Sequence, residues 1–115
     1  MKPHLSQAQT AGTLVFTSGQ LALDEAGQLR GDSVGDQTLL ALRNLERVLA
    51  TEGLGLRDVV KTTVWITRPA DFADFNRVYG EVFGDHRPAR STVVAQLALA
   101  AALVEIEAVA DRRAV

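Results

Sequence analysis

The chain has 115 residues, 47% of them hydrophobic and 23% charged, with a net charge of -2. That length makes one domain over residues 1–115, which buries only about 65% of its unfolded surface, so self-association is a natural way to gain burial. The near-neutral balance argues against non-specific nucleic-acid binding, which needs clustered Lys and Arg to displace counterions. There are no cysteines, which removes disulfides, thiolate metal sites and a cysteine nucleophile. His4 and His86 lie far apart without a second soft ligand at metal spacing, so no metal site is expected. No basic region followed by an apolar run opens the chain. The longest apolar stretch, Leu97 to Val104, is far below the roughly 18–20 residues of a membrane span. The chain reads as soluble and cytoplasmic.

Thr13 to Ser18, bounded by Gly12 and Gly19 and rich in β-branched residues, predicts a strand. Gln20 to Leu23 either continues it or starts the return strand, with Asp24 to Gly27 as the turn. From Asp36 the period changes: Leu39, Leu42, Leu45, Val48 and Leu49 share one face of a helix. Asp32 or Ser33 can cap it, and Gly53 can stop it. Val59 to Thr67 alternates over two partly apolar faces, as a central strand covered on both sides would. Pro69 ends that strand. Asp71 caps a second helix reaching about Phe83, with Phe72, Phe75, Val78, Tyr79 and Val82 as its buried stripe and Gly84 as its stop. Ser91–Gln96 and Val104–Ala110 predict two more strands, and Gln96–Leu103 reads as a connection between them, paired side by side. The expected class is α+β, with both helices on one face of the sheet.

Two segments carry the candidate chemistry. In Val104–Ala110 the period of two puts Glu105 and Glu107 on one face, where a pair of carboxylates is costly to bury without partners. Read alone, that face is solvated or ion-paired at a subunit contact. Arg90 follows Pro88-Ala89, with Thr92 on the same face of its strand. A guanidinium with five donors can grip a carboxylate bidentately, although a surface ion pair accounts for a lone Arg equally well. Gly19 permits close approach to the backbone, and so does a plain turn. No GxGxxG, P-loop or GxSxG is present.

Leu5-Ser6-Gln7-Ala8, Val15 to Gln20, Val59 to Val64, Phe75-Asn76, Pro88-Ala89-Arg90-Ser91 and Val104 to Ala110 occur in one order. That series closely resembles the Rid family of reactive-intermediate deaminases, also called YjgF-like proteins. The resemblance implies a chorismate-mutase-like fold of the trimeric type, with inter-subunit clefts in a homotrimer. It implies metabolite damage control by hydrolysis of enamines and imines such as 2-aminoacrylate to 2-oxo acids and ammonia, with no cofactor. Carried over residue by residue, Arg90 would hold the substrate carboxylate and Glu105 would position water. Gly19, Asn76 and Thr92 would line the pocket. The chain departs from the pattern at Leu5, where a tyrosine is usual, in the Ala-rich stretch Ala98 to Ala102, and in a short loop before Pro88. The loss of that hydroxyl leaves a second reading: a member of the fold that binds or senses a small carboxylate without turnover.

Overall fold

The computed structural model describes residues 2–113. A turn at Gly12, whose φ of 63° favours a residue without Cβ, folds β1 (Ala8–Ala11) back on β2 (Leu14–Thr17). α1 (Val34–Thr51) starts where the Ser33 hydroxyl accepts the Asp36 N–H, so Ser33 and not Asp32 is the cap. Gly53, at φ 74°, follows its end. Leu42, Leu45 and Leu49 are buried as their spacing requires, while Leu39 at the margin of the stripe stays exposed.

β3 (Val59–Ile66), α2 (Phe72–Phe83), β4 (Ala89–Val94) and β5 (Val104–Asp111) complete the chain. Asp71 occupies the cap position of α2 without bonding its N–H groups. Its carboxylate instead grips Arg68 at 2.8 and 3.1 Å. The sheet order is β1-β2-β5-β3-β4. β4 runs parallel to β3, and every other neighbouring pair is antiparallel.

Three expectations need correction. Gln20 to Leu23 contributes only isolated bridges, Gln20 to Ile106 and Leu23 to Leu29, and the first strand is instead the exposed segment Ala8–Ala11. β4 and β5 are not paired with each other. β3 lies between them, because α2 carries the chain back over the sheet and lets β4 enter parallel to β3. Finally, β3 is covered on one side only within the chain: Thr62, Val64 and Ile66 are buried, whereas Lys61, Thr63 and Trp65 are half-exposed.

Both helices pack on that buried side. Leu42, Leu45 and Leu49 meet Phe75, Tyr79, Val64, Ile66, Val104 and Ile106 in one core. Two ties fix this layer. Asp74 on α2 accepts the Gly35 N–H at the start of α1 at 3.1 Å, supplying an orphan donor with an acceptor. Buried Gln37 on α1 accepts the Leu103 N–H at 2.8 Å and donates to the Ala101 carbonyl at 3.4 Å. The link from β4 to β5 is thereby clamped, and Ala101 holds a φ of 73°, a left-handed conformation unusual for alanine. Among the described residues no helix is long and apolar enough to cross a membrane.

Candidate functional site

The ladder registers decide which side chains can meet, since residues directly opposite on neighbouring strands project to one face. Arg90 stands opposite Thr62 and Thr92 opposite Val64, so both belong to the helix-covered side. Glu105 stands opposite Trp65 and Glu107 opposite Thr63, which places them on the open side. Within one chain, the guanidinium and the carboxylate therefore lie on opposite faces of the sheet.

Arg90 is half-buried on the edge strand. Its guanidinium carbon sits 4.8 Å from the ring centre of Tyr79, 5.3 Å from that of Phe75 and 5.7 Å from that of Phe72. Three aromatic faces attract the cation without neutralising it and leave its N–H groups for a ligand. Among the described residues it has no acidic partner within ion-pair distance. Tyr79 is fixed in turn: its hydroxyl shares a 2.7 Å hydrogen bond with buried Thr62, and burial raises its pKa against the opposing effects of that bond and of Arg90. Asn76 is exposed on α2, one turn from both Phe72 and Tyr79, on the side that carries the rings. Beside Arg90 runs a groove of about 470 Å³, walled by Tyr79, Phe83, His86, Arg87 and Pro88.

On the open face, residues 18–20 are stitched to β5. The Gln20 N–H donates to the Ile106 carbonyl at 2.7 Å, and the Gln20 carbonyl accepts the Ile106 N–H at 3.0 Å. This lays Gly19 under the Glu105 side chain. A Cβ on Gly19 would overlap Glu105 Oε2 and come within 2.8 Å of its Cδ, so the missing side chain is the space the carboxylate occupies. Glu105 is half-buried, with no cationic partner among the described residues. Burial first, and then the charge of Glu107, raise its pKa above the ordinary glutamate value. A carboxyl so placed can orient a water molecule.

All five sequence candidates thus fall into two half-sites: Arg90, Thr92 and Asn76 at the sheet edge, Glu105 and Gly19 on the open face. The aromatic bed under Arg90 was hidden in the apolar stripe of α2. Tyr79, the one stripe residue with a hydroxyl, was the signal available. No group of His, Asp and Glu among the described residues is arranged to hold a metal ion.

Two helices behind a five-stranded mixed sheet define a chorismate-mutase-like α+β domain. The family model described as endoribonuclease L-PSP matches residues 2–112, and the chain belongs to that family, which includes the YjgF and Rid proteins. It is 44% identical over 107 residues to Reactive Intermediate Deaminase A, chloroplastic, of Arabidopsis thaliana, covering 91% of this chain and 57% of that one. It is 40% identical over 106 residues to a RutC family protein of Pyrococcus horikoshii, covering 91% and 84%. The crystal structure of Escherichia coli TdcF with bound serine matches with a TM-score of 0.87 at 37% identity, over 97% of this chain and 90% of that one.

Proposed function

We propose that the protein hydrolyses 2-imino acids, including the imine tautomer of 2-aminoacrylate, to 2-oxo acids and ammonia. The site forms where the edge of one copy meets the open face of another in a closed ring, a homotrimer. The observation that carries this reading is the Arg90 guanidinium, held on three rings at a sheet edge with no acidic partner among the described residues. That arrangement suits an anionic ligand delivered from outside the chain.

In the proposed reaction Arg90 grips the α-carboxylate and a second copy's Glu105 orients water toward the imine carbon. Water adds across the C=N bond to give a carbinolamine. Its nitrogen, protonated, then leaves as ammonia and the C=O bond of the 2-oxo acid forms. Thr92 and Asn76 flank the anchored carboxylate and Gly19 leaves room for the Glu105 carboxyl. The reaction runs unaided in water, so orientation and a fixed positive charge suffice for a moderate acceleration. The names of the deaminase relatives and the serine bound to TdcF agree with an amino-acid-like ligand. RNA cleavage, which the family description names, is a poorer fit. Arg30, Arg43, Arg68, Arg77 and Arg112 are engaged by acids, and the Nε2 of His86 is bonded to the Val59 carbonyl at 2.7 Å.

Complementation tests the shared site. Arg90→Ala and Glu105→Gln, each alone, should lower acceleration of imine hydrolysis about 10- to 100-fold, the scale of one charge-assisted contact. Copies of the two variants, unfolded and refolded together, should regain about a quarter of wild-type activity, because random assortment restores that share of sites. A mixture no more active than its components would show that the two residues do not serve one site across copies.

A further inference from the structure

The groove beside Arg90 has a charge pattern that anchoring one carboxylate does not explain. Arg87 also lines it, and no acidic side chain does. Like Arg90, Arg87 has no ion-pair partner among the described residues. It is exposed on the short loop before Pro88, so neither packing nor a capping bond accounts for it. Two cations over low-dielectric walls focus positive potential into the groove, and an anion between them relieves their repulsion. The walls limit what enters. Tyr79 and Phe83 lie with ring centres 4.6 Å apart and ring planes tilted by 34°, giving a largely apolar wall. His86 is pinned to the Val59 carbonyl and cannot swing across. Arg87 and Arg90 line this one groove from positions three residues apart, near enough for two long side chains to close around a short diacid.

Resting on the deaminase reading, in which Arg90 takes the α-carboxylate, we infer that Arg87 selects 2-imino acids with a second, side-chain carboxylate. Those are the imines of dicarboxylic amino acids. The substrate's methylenes lie on the Tyr79 and Phe83 rings and its distal carboxylate meets Arg87. The short loop before Pro88 is what brings this second cation to the rim.

The test compares imines generated in situ by amino-acid oxidases from glutamate and from alanine, with the oxo acid trapped as it forms. The wild-type protein should show the higher kcat/KM with the glutamate-derived imine. Arg87→Ala should lower the glutamate-to-alanine ratio about tenfold, through KM rather than kcat, and Arg87→Lys should restore part of it. Raised ionic strength should shrink the wild-type ratio. An unchanged ratio in Arg87→Ala overturns the assignment. Calorimetry with 2-oxoglutarate and pyruvate asks the same question without turnover. Tighter 2-oxoglutarate binding that Arg87→Ala abolishes supports the diacid groove even if no imine is accelerated, a result that would count against the deaminase reading alone. Equal binding of the two acids overturns the groove assignment whatever the activity.

Discussion

The two faces of the sheet treat polar groups in opposite ways. Under the helices, the polar groups on β3, Thr62, and on α1, Gln37 and Thr38, are buried and each is hydrogen-bonded within the chain. On the open face, Glu105 and Glu107 stand half-buried beside Trp65 and Phe16, with no cation bound to either among the described residues. Arg90 at its edge apart, the helix-covered face is complete among the described residues. The other carries charge and apolar area together, which suits a surface that other copies cover and a ligand reaches. The lesson is that completeness in hydrogen bonding separates structural polar residues from functional ones better than burial does.

Gly19→Ala strikes the open face without touching the carboxylate itself. The new methyl must push the Glu105 carboxylate away, and because that is the end of a flexible side chain the fold can yield. If Glu105 serves the proposed reaction, activity should fall about tenfold, the cost of misplacing one such group, with Tm little changed. A variant that keeps its rate would show that Glu105 need not rest over residue 19.

Ala101→Gly sharpens the contrast from the clamped connection between β4 and β5. Releasing the strain of φ 73° recovers about 1–2 kcal/mol, offset by about 0.5–1 kcal/mol for the greater freedom of glycine when unfolded. Denaturant titration should show a net gain of up to about 1.5 kcal/mol. A loss would mean that the backbone there relaxes at no cost.

The smallest effect is electrostatic. Glu105 has a folded-state pKa raised above 4.5, so the folded protein binds the proton more tightly than the unfolded chain does. Stability therefore declines as pH rises from about 4.5 through the folded-state value, then stays level. Glu105→Gln removes that decline: it should raise Tm slightly at pH 7 and leave it unchanged near pH 4. An equal shift at both pH values would locate the cause in packing instead.

Both helices were legible because a period of 3.6 is written locally, and Gly53 and Gly84 mark their ends. Parity within a strand was equally plain: Arg90 with Thr92, Glu105 with Glu107. The relation between strands was not, since register and order depend on pairings distant in sequence. Nothing in Arg90 or Glu105 tells which side of the sheet each faces until Thr62 and Trp65 stand opposite them. β1 escaped notice because Ala8-Gln9-Thr10-Ala11 is an exposed edge, where no apolar alternation is required. The aromatic bed escaped notice because rings that hold a cation and rings that fill a core share one stripe.

The parallel entry of β4 has a mechanical corollary. A strand can join its neighbour in that direction only after the chain has climbed over the layer and come down again, and the climb here is α2. The helix that delivers Arg90 to the rim is thus the same body that supplies the cushion beneath it. Adding or deleting residues between Gly84 and Pro88 would slide the guanidinium and its cushion past each other, and on the proposed reading that short stretch tunes affinity.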